Sequence, residues 1–336
     1  MAAFNVSLPK VLIELDRAWN DPIRNTQFIA NVEALRAQLQ RQTITTGPII
    51  SGTGPNAKKI TTTIYWPEVC STSTSSCTDE CVAATGEATD NSQDVTLPCM
   101  REAGFIESFK RFRVAPYNYE QVVAMQMLMK MKALDEYLAS QYITFLEAHK
   151  GTHEYELSVG NESGGDWEIP AVDWNVDLIP EFMLSARIAR FSNPYLLDGI
   201  NFWTQRAQAA AYQGNAEGKG AQTLFGDNST FNWVVDPENI TSTAPGKTYM
   251  VNASAVAFVS GNYWGTTPFV HAGNHRMYKV ASRNLPGIFY DVHELETCTS
   301  NDFVTSFKIV INGSFNLNPL NCEKEERTGI LAFEKV

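Results

Sequence analysis

Hydrophobic residues recur at helical spacing over one long segment in the middle of the chain. Between residues 118 and 149 the intervals are 4, 4, 3, 4, 4 and 3, set by Val123, Met127, Met131, Leu134, Leu138, Tyr142 and Phe145. This periodicity predicts one helix of roughly 48 Å, at about 1.5 Å per residue. Regular spacing of methionine and aromatic residues is typical of a packing face and not of a cofactor groove, so no cofactor is expected.

Two shorter amphipathic helices are predicted near the start of the chain. The first covers residues 9–19, "PKVLIELDRAW", which open on proline and place Val11, Leu12, Leu15 and Trp19 on one side. The second follows "NDP" and carries an apolar stripe of Phe28, Val32, Leu35 and Leu39. We expect both narrow stripes to lie on the rest of the fold or on a neighbouring molecule.

Two strands are predicted on either side of a polar segment. Residues 60–66, "ITTTIYW", are β-branched and aromatic, and residues 105–114, "FIESFKRFRV", alternate in polarity. We expect these strands to pair as a long hairpin. The segment between them is rich in Ser, Thr and Asp and holds four cysteines, so the tip of the hairpin cannot bury a core of its own.

The second half of the chain changes from helices to strands. Two helices are predicted at "NVDLIPEFMLSARIARFSNP" and "FWTQRAQAAAYQG", separated by the strand-like "PYLLDG". Four later segments bounded by Gly, Pro and Asn turns are predicted to form strands: "TYMVNASAVAFVSG", "PGIFYDVHELETC", "FVTSFKIVINGSFNL" and "TGILAFEKV". The predicted fold class is therefore α+β.

Charge and composition narrow the kinds of function that the protein is expected to have. The 336 residues carry 26 Lys and Arg against 37 Asp and Glu, and the resulting charge of -11 disfavours tight binding to nucleic acid. The first thirty residues lack the apolar core of a signal peptide, and no run of about 18 apolar residues predicts a membrane span. Six N-x-Ser/Thr patterns leave a secreted binding module as a minor alternative.

A search for catalytic patterns yields little. The G-x-S-x-G and P-loop motifs are absent, and "GNAEGKG" has no strand in front of it. His271 and His275 in "HAGNH" are interpreted as loop histidines, and Asp227, Asp236 and Glu238 as residues that cap turns. We therefore nominate no catalytic, cofactor-binding or metal-binding residue. The alternative is a hydrolase that uses His271, His275 and nearby carboxylates.

Cysteines are the most informative reactive residues. Cys70, Cys77, Cys81 and Cys99 cluster in the hairpin segment, whereas Cys298 and Cys322 stand apart. The first four are candidates for a disulfide or a cross-link between subunits, because covalent links would order a segment that packing cannot. Their spacing does not match common zinc motifs, so disulfides, free thiols and a zinc site all remain open.

The order of elements along nearly the whole chain resembles one family. Two helices, an extended hairpin, a very long helix, an α/β middle and returning late strands resemble a major capsid protein of the Hong Kong 97 type, the shell subunit of tailed bacteriophages. The late segments "LNPLNC" and "TGILAF" further resemble shell proteins of phages that infect Bacteroidetes. The resemblance implies an N-terminal arm at 1–48, an extended loop at 49–116, a peripheral domain at 117–174 and 286–336 that includes the spine helix, and an axial domain at 175–285.

The resemblance also implies a function. The chain would be a non-enzymatic structural protein that self-assembles into pentamers and hexamers of an icosahedral head around double-stranded DNA. It would be made in the cytoplasm of a host bacterium and end in the virion. Its partners would be itself and separate scaffolding, portal and decoration proteins, with non-specific contact to DNA and none to membranes. Because the sequence opens almost directly on the arm, scaffolding is expected to be a separate protein, or the sequence to be a mature form.

Six residues are nominated for contacts between subunits on the same basis: Trp66, Lys110, Arg111, Arg113, Trp203 and Arg206. The basic residues of "FKRFR" are expected to meet an acidic neighbouring subunit. The segment "NPYLLDGINFWTQRAQAAAYQG" is expected to face copies of itself in the axial domain. A related alternative with the same fold is an encapsulin-like nanocompartment shell.

Overall fold

The computed structural model describes most of the chain: residues 8–23, 25–42, 45–46, 50–51, 60–67, 90–110, 118–202, 232–253, 255–266, 269–271, 274–299, 302–317 and 328–336. The helices in these ranges are α1 (Leu8–Trp19), α2 (Glu33–Arg41), α3 (Tyr119–Ala148), α4 (Ile179–Ile188) and α5 (Pro237–Thr243). The fold is a mixed α+β arrangement in which α3 and three sheets are the largest elements.

The strands fall before and after α3. Those before it are β1 (Thr45–Thr46), β2 (Ile50–Ser51), β3 (Ile60–Pro67), β4 (Asp90–Leu97) and β5 (Cys99–Ser108). Those between α3 and residue 260 are β6 (Asn161–Ser163), β7 (Asp166–Ile169), β8 (Pro194–Asp198), β9 (Asn232–Val235), β10 (Lys247–Asn252) and β11 (Val256–Ser260). The last are β12 (Phe269–His271), β13 (His275–Ala281), β14 (Phe289–Thr299), β15 (Asp302–Leu317) and β16 (Ile330–Lys335).

The predicted long helix is confirmed to within one residue at each end. α3 has 30 residues, and its predicted stripe is buried except for Phe145, which is partly buried. The stripe lies in one continuous core with the inward residues of two sheets, including Tyr195, Tyr249 and Phe307. The helix is therefore the central support on which the rest of the molecule packs. No helix in the described ranges is long and apolar enough to cross a membrane.

Both N-terminal helices lie on the body of the same molecule. In α1, Leu8, Val11 and Leu15 are buried in the α3 core, while Leu12 and Trp19 pack at its margin. The second helix begins at Glu33, later than predicted, because a 3-10 turn at Asn25–Gln27 follows "NDP". Phe28 and Val32 are buried although they precede the helix.

The predicted pairing of residues 60–66 with 105–114 is wrong. β3 pairs antiparallel with β4, from Ile60 opposite Leu97 to Pro67 opposite Asp90. β5 pairs instead with β15, from Ser108 opposite Val304 to Cys99 opposite Asn312. Phe105 explains the preference, since its ring stacks on Phe307 with centroids 4.7 Å apart. The hairpin therefore closes around residues 68–89, a shorter segment than predicted.

Two six-stranded sheets complete the body. The first has the order β6-β7-β16-β10-β8-β9, and the second has the order β11-β15-β14-β13-β12 with β5 also paired to β15. Each six-stranded sheet contains strands from both sides of residue 286. β16 lies in the first sheet between β7 and β10, whereas β11 and β13 lie in the second sheet with β14 and β15. The predicted strand "PYLLDG" is confirmed as β8.

Candidate assembly surfaces

The β3–β4 hairpin is fixed to the second sheet through its base. Val95 and Leu97 on β4 are buried against Val259 and Tyr263, and together they form a small apolar cluster. They face inward on alternate positions of a strand whose other side chains are polar, so the sequence "DVTL" is enough to orient the base. These contacts fix the base of the hairpin to the second sheet, and β1 and β2 pair with β3 to complete a four-stranded sheet. The tip at residues 68–89 lies outside the described residues.

Two backbone features turn the chain from this hairpin into β5. Gly313 donates its backbone N–H to the Pro98 carbonyl oxygen at 3.1 Å, and the β5–β15 register shifts between Ile311 and Asn312. A Cβ at Gly313 would lie 2.7 Å from the Phe258 ring, so glycine lets β11 and β15 approach closely here. The irregularity fixes the direction in which the hairpin leaves the sheet.

The outer face of the second sheet carries a row of exposed side chains. Phe307 and Ile309 point inward to the α3 core, so the alternate residue Ser306 points outward. Ser306 is paired with Ile106 on one side and Leu295 on the other, and Leu295 is paired with His275. Ile106 is 68% exposed and Leu295 is 38% exposed. The row is a partly apolar strip across the four strands β5, β15, β14 and β13.

A pocket of about 470 Å³ opens on the same outer face. It is lined by Cys99, Glu102, Tyr263, Trp264, Asp291, His293, Lys308, Val310 and Asn312. Lys308 forms an ion pair with Glu102, and the His293 ring meets the Trp264 ring edge-on at 6.2 Å. Burial, and then the nearby His275 and Lys308, lower the pKa of His293, so its ring is neutral near pH 7. The pocket wall therefore combines paired charged and polar groups with the apolar surface of Tyr263, Trp264 and Val310.

Similar solved structures come from phages. The structure is similar to the capsid of the cyanophage P-SCSP1u, with a TM-score of 0.47 and 10% identity over 86% of this chain and 85% of that chain. It is similar to a structure from Mycobacterium phage Che8, with a TM-score of 0.43 and 14% identity over 81% and 84%. It is also similar to the capsid of Myoviridae phage XM1, with a TM-score of 0.40 and 10% identity over 92% of this chain and 93% of that chain. These neighbours are phage capsids.

Sequence comparisons give no match. No protein-family model matches the chain, and no curated protein is similar to it in sequence.

Few of the six predicted contact residues fall in the described ranges. Trp66 lies on β3 opposite Asn91, and Lys110 is exposed just beyond the end of β5. Arg111, Arg113, Trp203 and Arg206 lie outside the described residues, as does the predicted helix "FWTQRAQAAAYQG" apart from its first residue, Phe202. The proposed contact surface therefore rests on the hairpin base and the outer face of the second sheet.

The cysteine cluster is only partly described. Cys99 is exposed with a free thiol at the start of β5, while Cys70, Cys77, Cys81 and Cys322 lie outside the described residues. Burial and the neighbouring Glu102 raise the pKa of Cys99 against the opposing effect of Lys308. Cys298 is also exposed and lies opposite Phe303 on β15. Phe303 is nine residues along that strand from Asn312, which lies opposite Cys99. At about 3.3 Å per residue the two thiols are roughly 30 Å apart.

The structure describes four of the five residues considered for the hydrolase alternative. His271 and His275 face each other across the β12–β13 hairpin, so their interpretation as loop residues is wrong. Asp236 accepts hydrogen bonds from the backbone N–H groups of Asn239 and Ala34, which caps α5 as the sequence predicted. Asp227 lies outside the described residues. In the described ranges no three His, Cys, Asp or Glu side chains are placed to hold a metal ion.

Sequence reasoning missed the buried polar residues that hold the N-terminal segment. Gln38 is fully buried, and its side-chain oxygen accepts a hydrogen bond from the Tyr195 hydroxyl at 2.7 Å. Its side-chain nitrogen donates to the backbone carbonyl oxygen of Ala253 at 3.2 Å. Asp236 binds Ala34, and Asn284 binds Phe28 and Ala30. No local pattern marks these residues, because their partners lie more than 150 positions away.

Proposed function

We propose that this chain is the major capsid protein of a tailed phage, a structural subunit that assembles with copies of itself into the phage head. The observation that carries the proposal is the β3–β4 hairpin. Its described buried apolar residues, Val95 and Leu97, both lie at the base. The short strands β1 and β2 also pair with β3, so the hairpin belongs to a small four-stranded sheet. A small sheet whose described buried apolar residues lie at its base is suited to lie across a neighbouring molecule, which would supply the contacts that its own side chains do not.

The outer face of the second sheet supports the same proposal. Ile106 and Leu295 are exposed in one row beside Ser306, and such exposed apolar strips mark surfaces that other chains cover. The -11 charge supports a wall that does not bind the packaged DNA tightly. The N-terminal helices pack on their own molecule, which leaves the hairpin as the element that reaches a neighbour.

The finer parts of the proposal come from the family resemblance. We propose that copies of the chain form pentamers and hexamers of an icosahedral head around double-stranded DNA. We further propose separate scaffolding, portal and decoration proteins and a host among the Bacteroidetes. The protein would be made in the bacterial cytoplasm and reside in the virion, with no enzymatic role. We propose the N-terminal arm (1–48), the extended loop (49–116), the peripheral domain (117–174 and 286–336) and the axial domain (175–285) as its working parts.

The proposal is tested by comparing the full chain with a variant in which Asn-Gly replaces residues 68–89. Pro67 and Asp90 are paired in register, so a two-residue turn joins them without displacing either strand. We expect the full chain to form closed shells or hexameric and pentameric rings in negative-stain electron microscopy, and the variant to stay folded but assemble poorly. Equal assembly of both would remove the hairpin from the interface, and a full chain that stays a folded monomer or dimer at every concentration would overturn the proposal.

Repeating the assembly experiment with and without reductant distinguishes the possible states of the cysteines. If Cys70, Cys77, Cys81 and Cys99 form cross-links between subunits, assembled particles should dissociate more readily with reductant. A variant with these four cysteines changed to serine should then behave like the reduced protein. Particles that are equally stable with and without reductant would leave the four cysteines as free thiols or zinc ligands, which added chelator distinguishes.

A further inference from the structure

Asp135 is a buried carboxyl group in the middle of α3. It has no exposed surface, and every hydrogen bond that the structure gives it comes from a neutral donor. The Ser282 hydroxyl donates at 2.9 Å, the Asn284 side-chain amide donates at 2.9 Å, and the Tyr290 hydroxyl donates to Oδ1. Burying an ionised carboxylate without a cation is costly even when such donors surround it.

Asn284 connects this carboxyl group to the N-terminal segment. Its side-chain amide nitrogen donates both to Asp135 and to the Phe28 carbonyl oxygen, the latter at 3.2 Å. Its side-chain oxygen accepts from the Ala30 backbone N–H at 3.0 Å. Its own carbonyl oxygen accepts from Arg36 Nε at 3.1 Å. One asparagine thus ties the spine helix to residues 28–36.

Charged groups around the cluster are engaged elsewhere. On α3 itself, Glu136 is paired with Lys132, and Lys132 also donates to the Gln27 carbonyl oxygen. On α2, Arg36 is paired with Glu33 at 2.7 Å. From α1, Asp16 is paired with Arg283, the neighbour of Asn284.

α5 supplies one more charge, Glu238, which disfavours ionisation of Glu136 and accepts a hydrogen bond from Asn31. On β14 the titratable neighbour is Tyr290. None of these groups forms an ion pair with Asp135 among the described contacts, so its charge is balanced only by hydrogen bonds.

We propose that Asp135, Ser282, Asn284 and Tyr290 form a proton-sensitive clasp that holds the N-terminal segment 28–36 more firmly when Asp135 is protonated than when it is ionised. Phe28 and Val32 are buried beside the cluster, so release of the segment would admit water to Asp135. Water favours the ionised carboxylate, and the closed, buried state favours the neutral acid.

The direction of the pH dependence follows from the linkage between protonation of Asp135 and closure of the segment. Burial raises the pKa of Asp135 from 3.8 to about 6, against the lowering effect of the hydrogen bonds from Tyr290, Asn284 and Ser282. If the released state has an ordinary carboxyl pKa, the closed state binds the proton more tightly. The segment is then held most firmly below pH 3.8 and loses that advantage as the pH rises through 6. Between about pH 5 and pH 8 the closed-to-open ratio should fall roughly ten-fold.

Hydrogen exchange measured by mass spectrometry on the full chain tests this clasp. Protection factors of peptides covering residues 28–36, corrected for intrinsic exchange, should fall by roughly ten-fold between about pH 5 and pH 8. In Asp135→Asn the fall should disappear, while Glu136→Gln, the adjacent partly exposed carboxyl, should retain it. Protection that is flat with pH, or a fall that persists in Asp135→Asn, would overturn the proposal.

If Asp135→Asn does not fold, a second variant tests whether Asp135 controls the protection of residues 28–36. Tyr290→Phe removes one donor to the carboxylate, so the transition should move to higher pH. An unchanged midpoint in Tyr290→Phe would also count against the clasp. The measurement follows one segment within one molecule, so its outcome does not depend on whether the chain forms shells.

Discussion

Lys247 on β10 places its ammonium nitrogen 2.6 Å from Glu147 Oε1 in the last turn of α3. The same nitrogen lies 2.8 Å from Asp166 on β7, and Lys150 contacts the same two carboxylates. The first sheet is therefore joined to α3 by a compact set of alternating charges. Burial opposes ionisation of Glu147, but hydrogen bonds from Lys150, Lys247 and Tyr249 outweigh it and lower its pKa.

Replacing Lys247 should destabilise the protein. Lys247→Met leaves Glu147 and Asp166 sharing one lysine, so we expect a loss of about 1–2 kcal/mol in the free energy of unfolding. Urea denaturation near neutral pH measures it. Lys132→Met is the matched control, since Lys132 forms a more exposed pair with Glu136 on the same helix. Equal losses in the two variants would mean that the Lys247 contacts add nothing beyond a surface pair.

Glu294 should make the protein less stable in alkaline solution. Burial raises its pKa from 4.5 to about 7 despite Arg276, so its contribution to stability is complete below pH 4.5 and is lost as the pH rises through 7. Glu294→Gln should therefore reduce the loss of unfolding free energy between about pH 5 and pH 8 by about 1–2 kcal/mol. Thermal unfolding across this range provides the comparison. Glu156→Gln, at an exposed position away from this strand, should keep the slope of the parent protein.

Asp236 should stabilise two helices at once. Its carboxylate accepts from Asn239 N at the start of α5 and from Ala34 N in the first turn of α2. Asp236→Ala should cost about 2–3 kcal/mol in denaturant unfolding because it removes two caps. Hydrogen exchange should show faster exchange at Ala34 as well as in α5. Exposed Asp177→Asn serves as the control and should be nearly neutral, and a loss confined to α5 would contradict the shared cap.

Cys99 should react slowly with alkylating reagents. Its raised pKa, caused by burial and by Glu102, lowers the thiolate fraction near pH 8. Glu102→Gln should speed alkylation of Cys99 by roughly two- to five-fold, because it also frees Lys308 to favour the thiolate. Peptide mass spectrometry of a time course gives the rate, with Cys298 in the same molecule as the internal reference. A rate that is unchanged by the substitution would show that Glu102 does not control the thiol.

Periodic segments were predictable because their environment repeats along the sequence. The α3 stripe faces one continuous core over its whole length, so spacing alone gives its limits. Strand pairing was not predictable in the same way. The alternation in "FIESFKRFRV" identifies part of β5, but its partner is chosen by contacts such as Phe105 with Phe307, about 200 residues away.

Buried polar residues were the least predictable. Asp135 follows "MKAL" on a helix where an acidic residue would ordinarily face water. Its donors come from residues 282–290, which are brought to it only by the packing of β13 and β14 against α3. Gln38 depends on Tyr142 and Tyr195 in the same way. Such residues become recognisable when the distant elements are placed together.

The position of β16 has a consequence for synthesis of the protein. This strand lies between β7 and β10, and Phe333 stacks on Phe182 with ring centroids 3.8 Å apart. A nascent chain cannot fill the centre of this sheet until residues 330–335 have left the ribosome. Translation products that stop earlier would expose Phe182 and the edges of two strands. Incomplete chains should therefore be degraded by proteases faster than the complete chain.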